Sequence, residues 1–153
     1  KHGISHWRRK QLAKALMDKG YSLQNVKDYV ARNPLKEFDV RPYLAGRIRH
    51  TGFEMHEVLQ NAWLESKGLI TGRGAGSISR WNPSIALSNP LHKTINSMQA
   101  AAGLMDKKVL STMTRVEVIR ANLEILSRAG VPDYAIQHLR KAALIHAREV
   151  GYK

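Results

Sequence analysis

Cysteine is absent from all 153 residues, which excludes a disulfide framework, a thiolate nucleophile and any cysteine-ligated zinc. The paired-cysteine motif of a zinc nucleobase deaminase is excluded with them. Long apolar runs are also missing: none approaches the ~18 residues of a membrane span, and the first residues lack the charged and apolar regions of a signal peptide. Acidic residues are scarce, 12 Asp and Glu against 25 Lys and Arg, so the formal charge is +13 before any of the seven histidines protonates. A hydrophobic fraction of 43% with three tryptophans is too apolar for a solvated basic tail. The expectation is one folded cationic domain over residues 1–153. The chain opens on Lys1 rather than methionine, as a segment of a longer polypeptide does, or an expressed piece of one.

The charge is uneven. Residues 1–50 hold twelve basic and four acidic groups, a net +8, with Trp7-Arg8-Arg9-Lys10 opening the first helical stretch and Arg41, Arg47, Arg49 and His50 clustered further on. Cations brought to phosphates release condensed counterions, so this distribution suits a polyanion, and Arg8, Arg9, Lys10, Arg47 and Arg49 are the candidate nucleic-acid contacts. A generally basic solvated surface, or anionic lipid, is the plainer alternative.

Helical spacing runs through residues 7–19 to Gly20, and Ser22 can cap a second helix that must end before Asn33-Pro34. Residues 35–55 show no helical period and read as loop with short strands. A short helix is expected over 57–67 with Gly68 as its stop, then a Gly/Ser loop over 71–80, then a strand at Ile85 and Leu87. Asn89 as N-cap and Pro90 at the first helical position predict a helix through Ala102 with His92 in its first turn. Thr114 and Glu117 spell a capping box for a helix ending before Gly130, and Pro132-Asp133 starts the last, ending near Gly151. The fold expected is α+β and mostly α-helical.

Residues 50–99 hold an ordered series: His56 flanked by Glu54 and Glu57, the Asn82-Pro83 turn, then His92 at a helix start with Asn96 one turn later. This series resembles the HNH, or ββα-metal, nucleases, including the endonuclease VII-like domains at the toxic tips of bacterial polymorphic toxins. The resemblance covers about fifty residues. It implies a small ββα-metal centre with residues 50–104 as the HNH-like core; residues 1–50 as a basic helical part and 105–153 as C-terminal helices come from charge and periodicity, and the resemblance does not explain them. It further implies His56 as general base, Asn82 as the residue holding the loop, and His92 as metal ligand. The paired histidines common in the family are His56-Glu57 here. A register shift by one makes His56 a ligand and Glu57 the base, and Glu54 is a further source of carboxylate. Asn96 in place of a third histidine suits magnesium or manganese as well as zinc.

Other motifs point less far. His56-Glu57-Val58-Leu59-Gln60 has glutamine where a zinc protease needs its second histidine, and the Gly72, Gly74, Gly76 loop lacks the lysine and helix of a phosphate-binding loop. Asn96 and Gln99 read equally well as the polar side of an amphipathic helix, and His138 and His146 as structural or exposed. Trp7, Trp63 and Trp81 are most simply core or edge residues. The expected activity is metal-dependent phosphodiester hydrolysis, of DNA in preference to RNA. The context expected is secretion or delivery into a target cell, with an acidic immunity protein as partner. The alternatives are a non-catalytic helical nucleic-acid-binding module and a metal-independent ribonuclease using His56 and His92 as acid and base.

Overall fold

The computed structural model describes residues 35–43, 52–68 and 82–149. Across them the chain is α+β and mostly helical. A three-stranded antiparallel sheet has order β1-β3-β2, from β1 (Val40–Pro42), β2 (Phe53–Glu57) and β3 (Pro83–Ser88). The helices are α1 (Asn61–Ser66), α2 (Asn89–Ala101), α3 (Lys107–Ser111), α4 (Arg115–Arg128) and α5 (Asp133–Glu149). Those anticipated within residues 7–33, and the Gly/Ser loop at 71–80, lie outside the described residues.

β3 is central because it carries the apolar residues. Ile85, Ala86 and Leu87 are fully buried, as a strand paired on both edges requires. Register places Val40 opposite Ile85 and His56 on its other side, while Arg41 and Glu57 flank Ser84. Side chains alternate across a strand, so Glu54 and His56 share one face with Ile85 and Leu87, and Glu57 shares the other with Ser84 and Arg41. The first face lies on the main core, which holds Ile85, Leu87, Ile95, Trp63, Leu123, Leu126 and Leu139.

Several boundaries differ from expectation. Glu57 belongs to β2, and the helix expected from residue 57 starts at Asn61, because pairing of Glu57 with Ser84 carries the strand through that position. Gly68 supplies the stop, at φ +67°. At α2 the N-cap is Ser88 and Asn89 is already helical, one residue earlier than expected, which puts Pro90 at the second position where its missing N–H still costs nothing. The Thr114–Glu117 capping box forms in both directions, and Gly130 at φ +98° ends the turn after α4. Helix α3 had no strong apolar signal. Asp106 caps it by accepting from Lys108 N at 2.8 Å, and it packs on α1 through Lys107–Glu65 at 3.1 Å. Trp63 is a core residue whose Nε1 donates to Met113 O at 2.9 Å.

Candidate active site

β2 leads by way of residues 58–82 into its antiparallel partner β3, and β3 runs without a break into α2. This ββα succession lays the first turn of α2 over the end of β2. The His56 and His92 rings meet edge to face, with centroids 5.7 Å apart and planes at 72°. His56 is buried at 5% exposure, and His92 is half-buried. Desolvation, with His92 as the second cause, pushes the His56 imidazole down to about 3. Burial lowers His92 too, opposed by the Glu54 carboxylate, which attracts the charged form. Both rings are therefore neutral at pH 7.

Glu54 lies two residues before His56, on the same sheet face, and is exposed. Asn96 stands one turn after His92, its Nδ2 3.5 Å from His92 Nδ1. Glu57 is placed differently. It is buried on the opposite face, where Asn82 Nδ2 donates to its Oε2 and also to Leu59 O at 2.8 Å. Asn82 thereby ties residues 57–59 to the start of β3, and its own buried Oδ1 accepts no hydrogen bond among the described residues. The sheet thus gathers Glu54, His56, His92 and Asn96 on one side and Glu57 with Asn82 on the other. Arg8, Arg9, Lys10, Arg47 and Arg49 lie outside the described residues.

Three amides complete the surroundings of His56. Gln99 is almost fully buried instead of lining a polar helix side: its Nε2 is 3.5 Å from His56 Nε2 and donates to Asn122 Oδ1 at 2.7 Å. Asn122 Nδ2 faces Val58 O at 3.1 Å, Val118 O at 3.0 Å and Gln60 Oε1 at 2.9 Å, and Gln60 Nε2 donates to Leu104 O at 3.0 Å. Asn122 escaped the sequence reading, yet a signal was there: it falls on the stripe of Val118, Ile119, Leu123 and Leu126, and a buried polar group on an apolar stripe needs partners. Gln60 had appeared only as the missing histidine of a protease motif.

A divalent ion, as the resemblance implies, finds suitable donor chemistry here, because the His92 imidazole and the Glu54 carboxylate interact on the same side of the sheet. Among the described residues, however, no three His, Asp or Glu side chains converge tightly enough to enclose an ion by themselves. Comparison with protein families, with characterised proteins and with solved structures finds no match for this chain. Among the described residues, no helix is long and apolar enough to cross a membrane.

Proposed function

We propose that this chain is a metal-dependent endonuclease that hydrolyses phosphodiesters, DNA in preference to RNA, at the face shared by His56, His92 and Glu54. The observation carrying this reading is the 5.7 Å approach of two neutral imidazoles where β2, β3 and α2 meet. Phosphodiester hydrolysis needs a group that accepts a proton from water and compensation for charge growing on the phosphate. Neutral histidines held by a strand and a helix offer a ring nitrogen at a fixed position, as a lone pair or as an N–H according to tautomer. His92 and Glu54 would hold a divalent ion, with water completing its shell. Such an ion neutralises phosphate charge and acidifies bound water.

The net +8 of residues 1–50 supports a polyanionic substrate. Charge reversal at Arg8, Arg9 and Lys10 then weakens binding at every sequence alike and flattens its salt dependence. The toxin context belongs to the same proposal, and a +13 domain calls for an acidic immunity protein, since opposite charge speeds encounter.

The edge-to-face approach of two histidine rings also suits one second reading, metal-independent RNA cleavage by the histidine pair. Chelation decides between them. DNA cleavage abolished by EDTA and restored by divalent ions supports the first, EDTA-resistant RNA cleavage supports the second, and binding without cleavage leaves a nucleic-acid-binding module.

A further inference from the structure

The amides around His56 form a chain whose direction can be read without seeing a hydrogen. Backbone carbonyls only accept, so the Gln60 atom on Leu104 O is its nitrogen, and the Asn122 atom among Val58 O and Val118 O is its nitrogen. The Gln60 oxygen then faces Asn122 Nδ2, and the Asn122 oxygen faces Gln99, so the Gln99 atom 2.7 Å away is also nitrogen. Reversing any one amide would set nitrogen against nitrogen or oxygen against a carbonyl, leaving buried polar groups unsatisfied. The same Gln99 nitrogen is the atom 3.5 Å from His56 Nε2.

We propose that this directed relay, Gln60 to Asn122 to Gln99, holds His56 in the tautomer with its hydrogen on Nδ1, so that His56 serves the reaction as a neutral N–H donor to the phosphate. An Nε2 that faces a donor must be the accepting nitrogen, and a neutral imidazole carries its one hydrogen on the other. Among the described residues the one hydrogen-bond contact of the His56 ring is at Nε2, which leaves the Nδ1 N–H for a ligand. In this form His56 is neither a base nor a metal ligand. It is suited to stabilise negative charge developing on a non-bridging oxygen, and the roles that need a lone pair fall to His92 and Glu54. Gln60, Asn122 and Gln99 are positioning residues. The tautomer follows from the relay alone, whereas its use in phosphate chemistry rests on the nuclease reading.

The test begins with the unsubstituted, uniformly 15N-labelled chain at neutral pH, in which long-range proton–nitrogen correlations from the ring carbons report each nitrogen of His56. A protonated Nδ1 and a bare Nε2 are expected, and a protonated Nε2 overturns the proposal whatever the activity. The second arm measures cleavage. An asparagine side chain places an N–H donor near the Nδ1 position but cannot take up a proton. His56→Asn should therefore stay within ~10-fold of the parent kcat while His56→Ala falls by ~100-fold or more. Equal loss in both variants overturns the donor role. In Gln99→Met the tautomer should become mixed and kcat fall ~10–100-fold with KM little changed, the range found when a partner that orients a site histidine is removed. A shifted tautomer with unchanged kcat removes the relay from catalysis. If the parent cleaves no nucleic acid, the nuclease reading fails while the tautomer measurement still decides the relay.

Discussion

The two faces of one small sheet treat their polar groups in opposite ways. On the Glu57 face, the carboxylate is buried and met by Asn82, which also grips Leu59 O, so the Asn82 amide spends its N–H donors on the protein. On the His56 face, the contacts to the imidazoles are 3.5 Å from Gln99 and 3.5 Å from Asn96, at the outer edge of hydrogen bonding. Residues separated by a single peptide bond, His56 and Glu57, thus fall into different environments because strand alternation sends them to opposite sides. Tightly bonded polar groups stabilise a fold, whereas a reaction centre needs donors and acceptors held in place but not consumed.

The sharpest way to break this contrast is to exchange which face matters for activity. His92→Ala should lower cleavage by ~100-fold or more at unchanged fold, as expected when a base or ligand is lost. Glu57→Gln should cost less than ~10-fold in kcat and show itself in the urea midpoint. A Glu57→Gln protein that is fully stable and inactive would move the chemistry to the opposite face and restore the register in which Glu57 is the base.

The second measurement uses His146 as a reference, a buried histidine on α5 whose shift comes from desolvation. Burial lowers its imidazole to about 4 from an ordinary 6.5. Between those values the unfolded chain holds a proton that the folded chain refuses, so stability falls as pH drops from about 6.5 towards 4 and levels off below. The shift corresponds to about 3 kcal/mol when complete. His56 and His92 are lowered by the same cause and add loss in the same direction. Urea titrations from pH 7 to pH 4 should therefore show a steep decline that His146→Leu makes shallower. An unchanged slope in that variant would mean that the His146 site admits water.

Legibility in the sequence followed the range of the forces involved. The α4 capping box and the Gly68 and Gly130 stops are local chemistry, written within a few residues, and the Ile85/Leu87 strand announces itself by alternation. The ordered His56, Asn82, His92 series was also visible. What separated Glu57 from His56 was strand pairing with Ser84, a contact 27 positions away that no local pattern contains. Gln99 offered an even choice between surface and site, and only packing of α2 against α4 shows it buried against Asn122, 23 residues on. Asn122 was the readable omission, since its position on the α4 stripe demanded partners before any were known.

The third comparison sets stability against Asn82. Removing it in Asn82→Ala deletes a donor shared by Glu57 and Leu59 O in a fully buried position. A loss of ~1–3 kcal/mol is expected, read as a lower midpoint in urea with unchanged slope. A loss within ~0.5 kcal/mol would show that the Glu57 face is no tighter than the other.

Asn96 gives the smallest effect and the closest control, because it is the same residue type, on the other face, with one long contact to His92. It is half-buried on α2, so Asn96→Ala leaves no deeply buried group without a partner. Stability should change by less than ~0.5 kcal/mol, the usual range for a site away from core and caps. Activity should move more than stability does. With His92 less firmly oriented, kcat should fall a few-fold, roughly 2–10, the low end of what loss of a histidine-orienting partner produces. Side-by-side kcat and urea midpoints for the two asparagine variants then form a cross. Asn82→Ala should be marked by stability and Asn96→Ala by rate, and the reverse pairing would invert the assignment of the two faces.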